Sequence, residues 1–344
     1  QEAADALSLF REAGEQLELR LPDDHPDAFR WRDGFQQLGS HLELTAAYRD
    51  AFFRVREVEE HPDREALIPV ALQAIESFRT LGAREAPRWA DRGYVGALYP
   101  AGTSSNDYLR AYGRALNTVE LNATWYRCDP DQIRRWAAQV PPHFRFCPKL
   151  PGHVGHQKRL VEVERDVEVF LQAMEGFGPT LGVCWLLLPN DFGPREFGRL
   201  RAFVEGWPRA VPLAVELRHV QWFGDPQARR EVFALFREHG TIAVVTDVAG
   251  RRDVLHMELT VPAAFVRLAL NDLDPTDYQR TEDWADRLAR WFDAGLETAW
   301  FFVHQPTEQN NVELVRHLLN TFNLRTGASL PVPETHGAFQ GRLF

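Results

Sequence analysis

Cysteine is scarce in this 344-residue chain, and lysine more so. The three cysteines, Cys128, Cys147 and Cys184, form an odd set without CxxC spacing. That argues against a disulfide scaffold or a cysteine zinc site and makes a reducing, cytoplasmic setting the expectation. Long apolar runs are missing too, so no membrane span is expected. The opening QEAADALSLF has neither the basic stretch nor the apolar run of a secretory leader. Of 39 basic residues only Lys149 and Lys158 are lysine. Genome composition suffices to explain the bias, yet lysine can surrender its proton inside a site and arginine cannot.

Several functional signatures are absent as well. No GxGxxG follows a strand and no GxxxxGK[ST] occurs, which excludes the common nucleotide cradles. No GxSxG elbow points to a serine hydrolase. The net charge of −10 is concentrated in residues 1–75, which hold 16 acids and 8 bases; the remainder holds 33 and 31. Without a basic stripe, nucleic acid is a possible but not a favoured partner, and charge neither demands nor forbids a small anion.

Residues 1–75 read as an acidic helical extension. Leu7, Phe10 and Leu17 share one face, Leu44, Tyr48, Phe52 and Val55 another, with a break at Leu21–Pro26. From residue 78, short apolar runs alternate with amphipathic segments. The runs are 78–82, 118–122, 144–149, 183–189, 213–218, 241–247, 263–269 and 298–305, rich in Val, Leu and Phe as doubly buried strands should be. Helices are predicted after Asn106, after Asp129-Pro130, and near 165–175, 195–205, 226–239, 282–294 and 311–322. The 248–262 link is short for a full helix. Eight strand–helix units predict a (β/α)8 TIM barrel over residues 76–324, followed by an irregular tail, 325–344.

Active sites of such barrels form at the C-terminal strand ends. Those ends offer Glu120 and Asn122, Lys149, Glu216 and Arg218, Asp247, Arg267, and His304 with Gln305. Charged groups inside apolar runs are costly to bury unless paired. A catalytic cluster satisfies that requirement, as do plain ion pairs such as Glu216 with Arg218 or Arg267, and Glu120 with Lys149. His156, His219, His304 and the acids include metal-ligand types, but no HxH or HxxxH pair focuses them and the cations beside them repel a metal. No metal and no cofactor are expected. Cys147 shares the face of Lys149 and reads as core.

The runs YVGALYPAG, TVELNATWYRCDP and IRRWAAQVPPHFRFCPKLPGHVGH, then LAVELRHVQW, VVTD and FVRL, resemble the domain of unknown function 72 family, also called YecE-like, over about residues 80–322. The resemblance implies a TIM barrel with a charged cleft and no settled activity. Its characteristic polar positions fall on Glu120, Asn122, Lys149, His156, Glu216, Arg218, Trp222, Asp247 and Arg267. The family's usual start is replaced by Gly82-Ala83-Arg84-Glu85, and its His-Gly after the last arginine by LALND. The asparagine pair usual near the last strand is replaced by His304-Gln305.

The expectation is a metal-independent enzyme for a small anionic or carbonyl-bearing substrate. Lys149 would act as electrophile or proton donor, Glu120 or Glu216 as general base, with Asp247 completing the catalytic set. Arg218, Arg267, Asn122, His156, Trp222 and His304 would bind substrate. The alternatives are a metal-dependent phosphodiesterase or repair-like activity, with Trp125, Tyr126 and Trp222 stacking on bases, and a non-catalytic binding protein.

Overall fold

Seven of the eight apolar runs become strands, and every pairing between those strands is parallel. The computed structural model describes residues 94–248, 251–307 and 309–336. The expected helices of residues 1–75 and the expected first strand, 78–82, lie outside the described residues. The strands are β1 (Thr118–Leu121), β2 (Arg145–Pro148), β3 (Cys184–Leu187), β4 (Leu213–Glu216), β5 (Ile242–Val248), β6 (Ala263–Ala269) and β7 (Thr298–His304). β1 pairs with β2, and β3 to β7 form one sheet in sequence order. Parallel bridges between Phe146 and Leu181 and between Lys149 and Trp185 connect the β2 and β3 segments. The fold is thus mixed α/β with parallel sheets. Among the described residues no ladder joins β7 to β1, so a closed eight-strand barrel is not present in the hydrogen bonding.

The connecting helices begin and end where local chemistry dictates. They are α1 (Tyr108–Ala115), α2 (Ala123–Tyr126), α3 (Pro130–Ala137), α4 (Glu164–Met174), α5 (Phe197–Gly206), α6 (Gln221–Gly224), α7 (Pro226–His239), α8 (Pro275–Asp293) and α9 (Asn310–Thr326). An Asp-Pro pair opens α3, α7 and α8. Each aspartate accepts from backbone N–H groups of the first turn, and each proline sits where no intrahelical donor is needed. The Asp274-Pro275 pair starts α8 seven residues before the helix expected at 282. Gly240 ends α7 at φ 70° and Gly327 ends α9 at φ 71°, left-handed positions that favour glycine.

Strand parity sorts the core into two layers. Cys147, Trp185, Ala214, Val244, Phe265 and Phe302 pack together on the inner faces of the strands. Val245, Val266 and Leu268 point the other way, against Trp284 and Leu288 of α8 and Leu314 and Leu318 of α9. The link after β5 holds a single turn at Arg252–Val254 in place of a helix. His256 and Thr260 tie it down: His256 Nε2 lies 2.9 Å from Val244 O, and Thr260 Oγ1 donates to Thr241 O at 2.6 Å. After α9, Asn323 exchanges two hydrogen bonds with Leu330, and His336 N donates to Ala97 O.

Candidate active site

Period-two alternation brings charge onto the inner face at the C-terminal ends of the strands. Glu120 on β1, Glu216 at the end of β4 and Arg267 on β6 meet there. The Arg267 guanidinium donates through Nε to Glu120 Oε2 at 2.7 Å, through Nη2 to Glu120 Oε1 at 3.1 Å, and through Nη1 to Glu216 Oε2 at 3.0 Å. Arg218 Nε takes the other oxygen of Glu216 at 2.8 Å. His304 of β7 places Nε2 3.2 Å from Glu120 Oε2, and Asn122 donates to Glu120 Oε1 at 3.1 Å. Glu216 is fully buried and Glu120 nearly so. The ion pairs seen as an alternative in the sequence therefore form, except that Glu120 pairs with Arg267 where Lys149 was expected.

Burial alone would raise both carboxyls, but the guanidiniums overcome it. Arg267 and His304 hold Glu120 well below the usual carboxylate range, and Arg218 and Arg267 bring Glu216 down to about 2. A general base works best with a pKa near the working pH. Both carboxylates instead anchor two arginines, which sets them apart from the expected role of Glu120 or Glu216 as general base.

Lys149, one residue past β2, is placed differently. Its Nζ stands 4.0 Å from the Trp125 ring centroid and 4.9 Å from that of Trp185, the ring that also carries the Arg267 guanidinium at 4.9 Å. Among the described residues, none forms a hydrogen bond or ion pair with Nζ. Burial, followed by the charge of Arg267, pushes the ammonium down to about 7, against a weaker upward pull from Glu120. Trp125 is itself fixed: a Cβ on Gly152 would stand 2.5 Å from its ring, so only glycine lets the backbone pass so close. His156 is buried edge-on to Trp125 at 4.6 Å and reaches the cluster through that ring.

Two expected members lie elsewhere. Asp247 is turned to the outer face, because Val244 and Thr246 take the inner parity of β5. It accepts from Trp284 Nε1 at 2.9 Å, Arg280 Nη2 at 2.7 Å and Arg252 Nη1 at 2.8 Å. It belongs to the packing between β5 and α8, which corrects its place in the catalytic set. Trp222 is wholly buried, donates Nε1 to Phe192 O at 2.7 Å and packs on Phe197. It is a core residue with no face left for a substrate or a base. Trp185 was missed in the sequence, although counting in twos from Val183 places it on the inner face.

The loops after β2 and β6 carry backbone strain. Arg159, Leu160 and Glu162 after β2, and Asp272 and Leu273 after β6, are the described non-glycine residues at positive φ. Such conformations cost on the order of 1 kcal/mol or more each and persist where surrounding structure enforces them. They follow the two strands that bring Lys149 and Arg267 to the site. Beside the cluster, a cavity of about 650 Å³ opens between β1 and β7. It touches Glu120, Asn122 and His304 but is otherwise mainly apolar, with Leu116, Phe301 and Leu318 among its walls. Among the described residues, no three of His, Cys, Asp and Glu converge as a metal site, and no helix is long and apolar enough to cross a membrane.

Comparison with known proteins finds relatives of this chain. The family model described as "Protein of unknown function DUF72" matches residues 86–336. The UPF0759 protein YecE of Escherichia coli strain K12 is 32% identical over 229 residues, covering 61% of this chain and 84% of that protein. The UPF0759 protein YunF of Bacillus subtilis is 26% identical over 167 residues, 46% of this chain and 58% of that protein. A crystal structure of a DUF72 family protein (EF0366) from Enterococcus faecalis V583 superposes with a TM-score of 0.54 at 17% identity, covering 66% of this chain and 96% of that one.

Proposed function

The chain belongs to the DUF72 family, and from the geometry of its charged cluster we propose that it is a (β/α)8-barrel enzyme binding a small anionic, carbonyl-bearing substrate at the C-terminal mouth, with Lys149 as the proton-transferring group. Curvature supports the barrel. β1 and β7 stand at opposite ends of the strand order, and in a flat sheet six spacings would separate them by about 29 Å. Yet His304 of β7 and Arg267 of β6 both reach the carboxylate of Glu120 on β1.

The observation that carries the functional reading is the placement of Lys149, with Nζ between the Trp125 and Trp185 rings and beside Arg267. Glu120 and Glu216 are already neutralised by Arg267 and Arg218, so a protonated Lys149 leaves the cluster with a surplus positive charge suited to an anion. Its amine, held near 7, divides between acid and base forms at neutral pH, as general acid–base catalysis requires. The metal-dependent alternative would require Glu120 and Glu216 to release Arg267 before they could ligate. The nucleic-acid alternative loses the stacking face of Trp222.

Isothermal titration of the full chain and of Lys149→Met with inorganic phosphate and with oxalate tests the proposal. Saturable binding to the parent, lost in the variant, is the expected result. Equal affinity in both proteins, or no binding to the parent, overturns it.

A further inference from the structure

We propose, resting on the anionic-site reading above, that Lys149 captures the carbonyl carbon of a small aldehyde or 2-oxo acid bearing a carboxylate, forming an imine. Three features of the geometry converge on this. First, Nζ lies against two indole faces and, among the described residues, has no hydrogen-bond or ion-pair partner, so no short ion pair ties up its lone pair. Second, the nearest carboxylates are already engaged, Glu120 by Arg267 and His304, Glu216 by Arg267 and Arg218. Third, Arg267 shares the Trp185 ring with Nζ, which puts a fixed cation beside the place where an alkoxide and a substrate carboxylate would form.

The step balances without an oxidant or reductant. The nitrogen lone pair forms the new C–N bond, the carbonyl π pair moves to oxygen, and that oxygen receives the proton leaving nitrogen. Loss of water then breaks the C–O bond and leaves C=N. Once protonated, the iminium is a cation again, and the Trp125 and Trp185 faces that hold the ammonium hold it equally. The charged groups facing the amine are Glu120 from β1, Glu216 and Arg218 from the end of β4, and Arg267 from β6, with His304 of β7 acting through Glu120. Burial favours the neutral nucleophile, and the two arginines add to it.

The sequence supplies an internal control, since the chain has one other lysine. Lys158 is exposed and donates to Asp166 at 2.6 Å. The full chain is incubated at pH 7 with glyoxylate and cyanoborohydride, digested, and each lysine peptide quantified by mass spectrometry. Acetaldehyde serves in a parallel arm, and inorganic phosphate as competitor. The carboxymethyl adduct should appear on Lys149 at least ~10-fold faster than on Lys158, because Asp166 holds the Lys158 ammonium whereas Lys149 Nζ, among the described residues, has no ion-pair partner and lies beside Arg267. Acetaldehyde should label Lys149 more slowly than glyoxylate, and phosphate should slow the glyoxylate reaction. Lys149→Arg, checked by thermal melt, should lose the adduct, and Lys158→Arg should keep it. Phosphate or oxalate binding with an unlabelled Lys149 overturns imine formation and leaves the anion site standing; absence of both overturns both. Equal labelling of the two lysines overturns selective capture, and equal rates with acetaldehyde and glyoxylate overturn the anionic class of the substrate.

Discussion

Lys149 occupies a place where a positive charge is costly. Burying an ammonium beside a guanidinium is unfavourable, and the neighbouring indoles offset part of that cost without supplying a counter-charge. Lys149→Met, of similar length and apolar, should raise Tm by about 2–4 °C, the shift that 1 kcal/mol produces in a domain of this size. The pH dependence has a definite sign. The amine titrates at about 7 in the folded protein and near its ordinary 10.5 when unfolded. Between these values the unfolded chain binds a proton that the folded one does not, so parent stability falls as pH drops from 10.5 to 7 and the penalty is complete below 7. Thermal melts of both proteins should therefore differ most below pH 7 and converge as pH rises toward 10.5. The sequence made this residue conspicuous through lysine scarcity and its place at a strand end. Its freedom from Glu120 was not legible, because pairing among five charges on four strands depends on which side chain reaches furthest, and Arg267 reaches both acids.

At the scale of elements, the link between β5 and β6 shows how a connection without a helix is held. His256 is buried between Phe223 and Phe233, with ring centroids at 5.3 and 5.1 Å. Nε2 faces Val244 O while Nδ1 accepts from Glu258 N, so both nitrogens are committed to one neutral tautomer. Burial pushes its pKa down to about 4. As pH falls from 6.5 to 4 the unfolded chain takes up a proton that the folded chain refuses, and stability is lost by up to about 3 kcal/mol. His256→Gln should be less stable than the parent at pH 7 and should lack that decline, as melts at a series of pH values would show. The elements were largely readable. Short Val- and Phe-rich runs identified all seven described strands, and Asp129-Pro130 announced α3. Asp274-Pro275 carries the same signal for α8, which begins there and not at 282. Asp247 shares the strand-end position, but its parity, opposite to that of Val244 and Thr246, turns it toward Trp284 and Arg280.

For the whole molecule, Arg267 is the fastener. One guanidinium ties β6 to β1 and β4 across the interior, and loss of it would leave two buried carboxylates short of their main partner. Arg267→Met should cost about 3–5 kcal/mol, measured by urea unfolding. With the guanidinium gone, burial would raise both carboxyl pKa values, so the deficit should shrink as pH falls and those groups take up protons. The parallel order of the sheet was legible from strand–helix alternation. The meeting of Glu120, Glu216, Arg267 and His304 followed from the barrel expectation, but which of them pair did not, since no local pattern encodes it. The same fastening has a consequence for solution behaviour. Because the fixed charges around Arg267 cancel, the occupancy of a single proton on Lys149 sets the net charge that an incoming anion meets. On the proposed reading, an anion settling there would draw a proton from the buffer and, by reciprocity, acidification would tighten its hold, whereas the proposed carbonyl capture would need that proton gone. The proposed docking and capture would thus run on opposite protonation states of one amine.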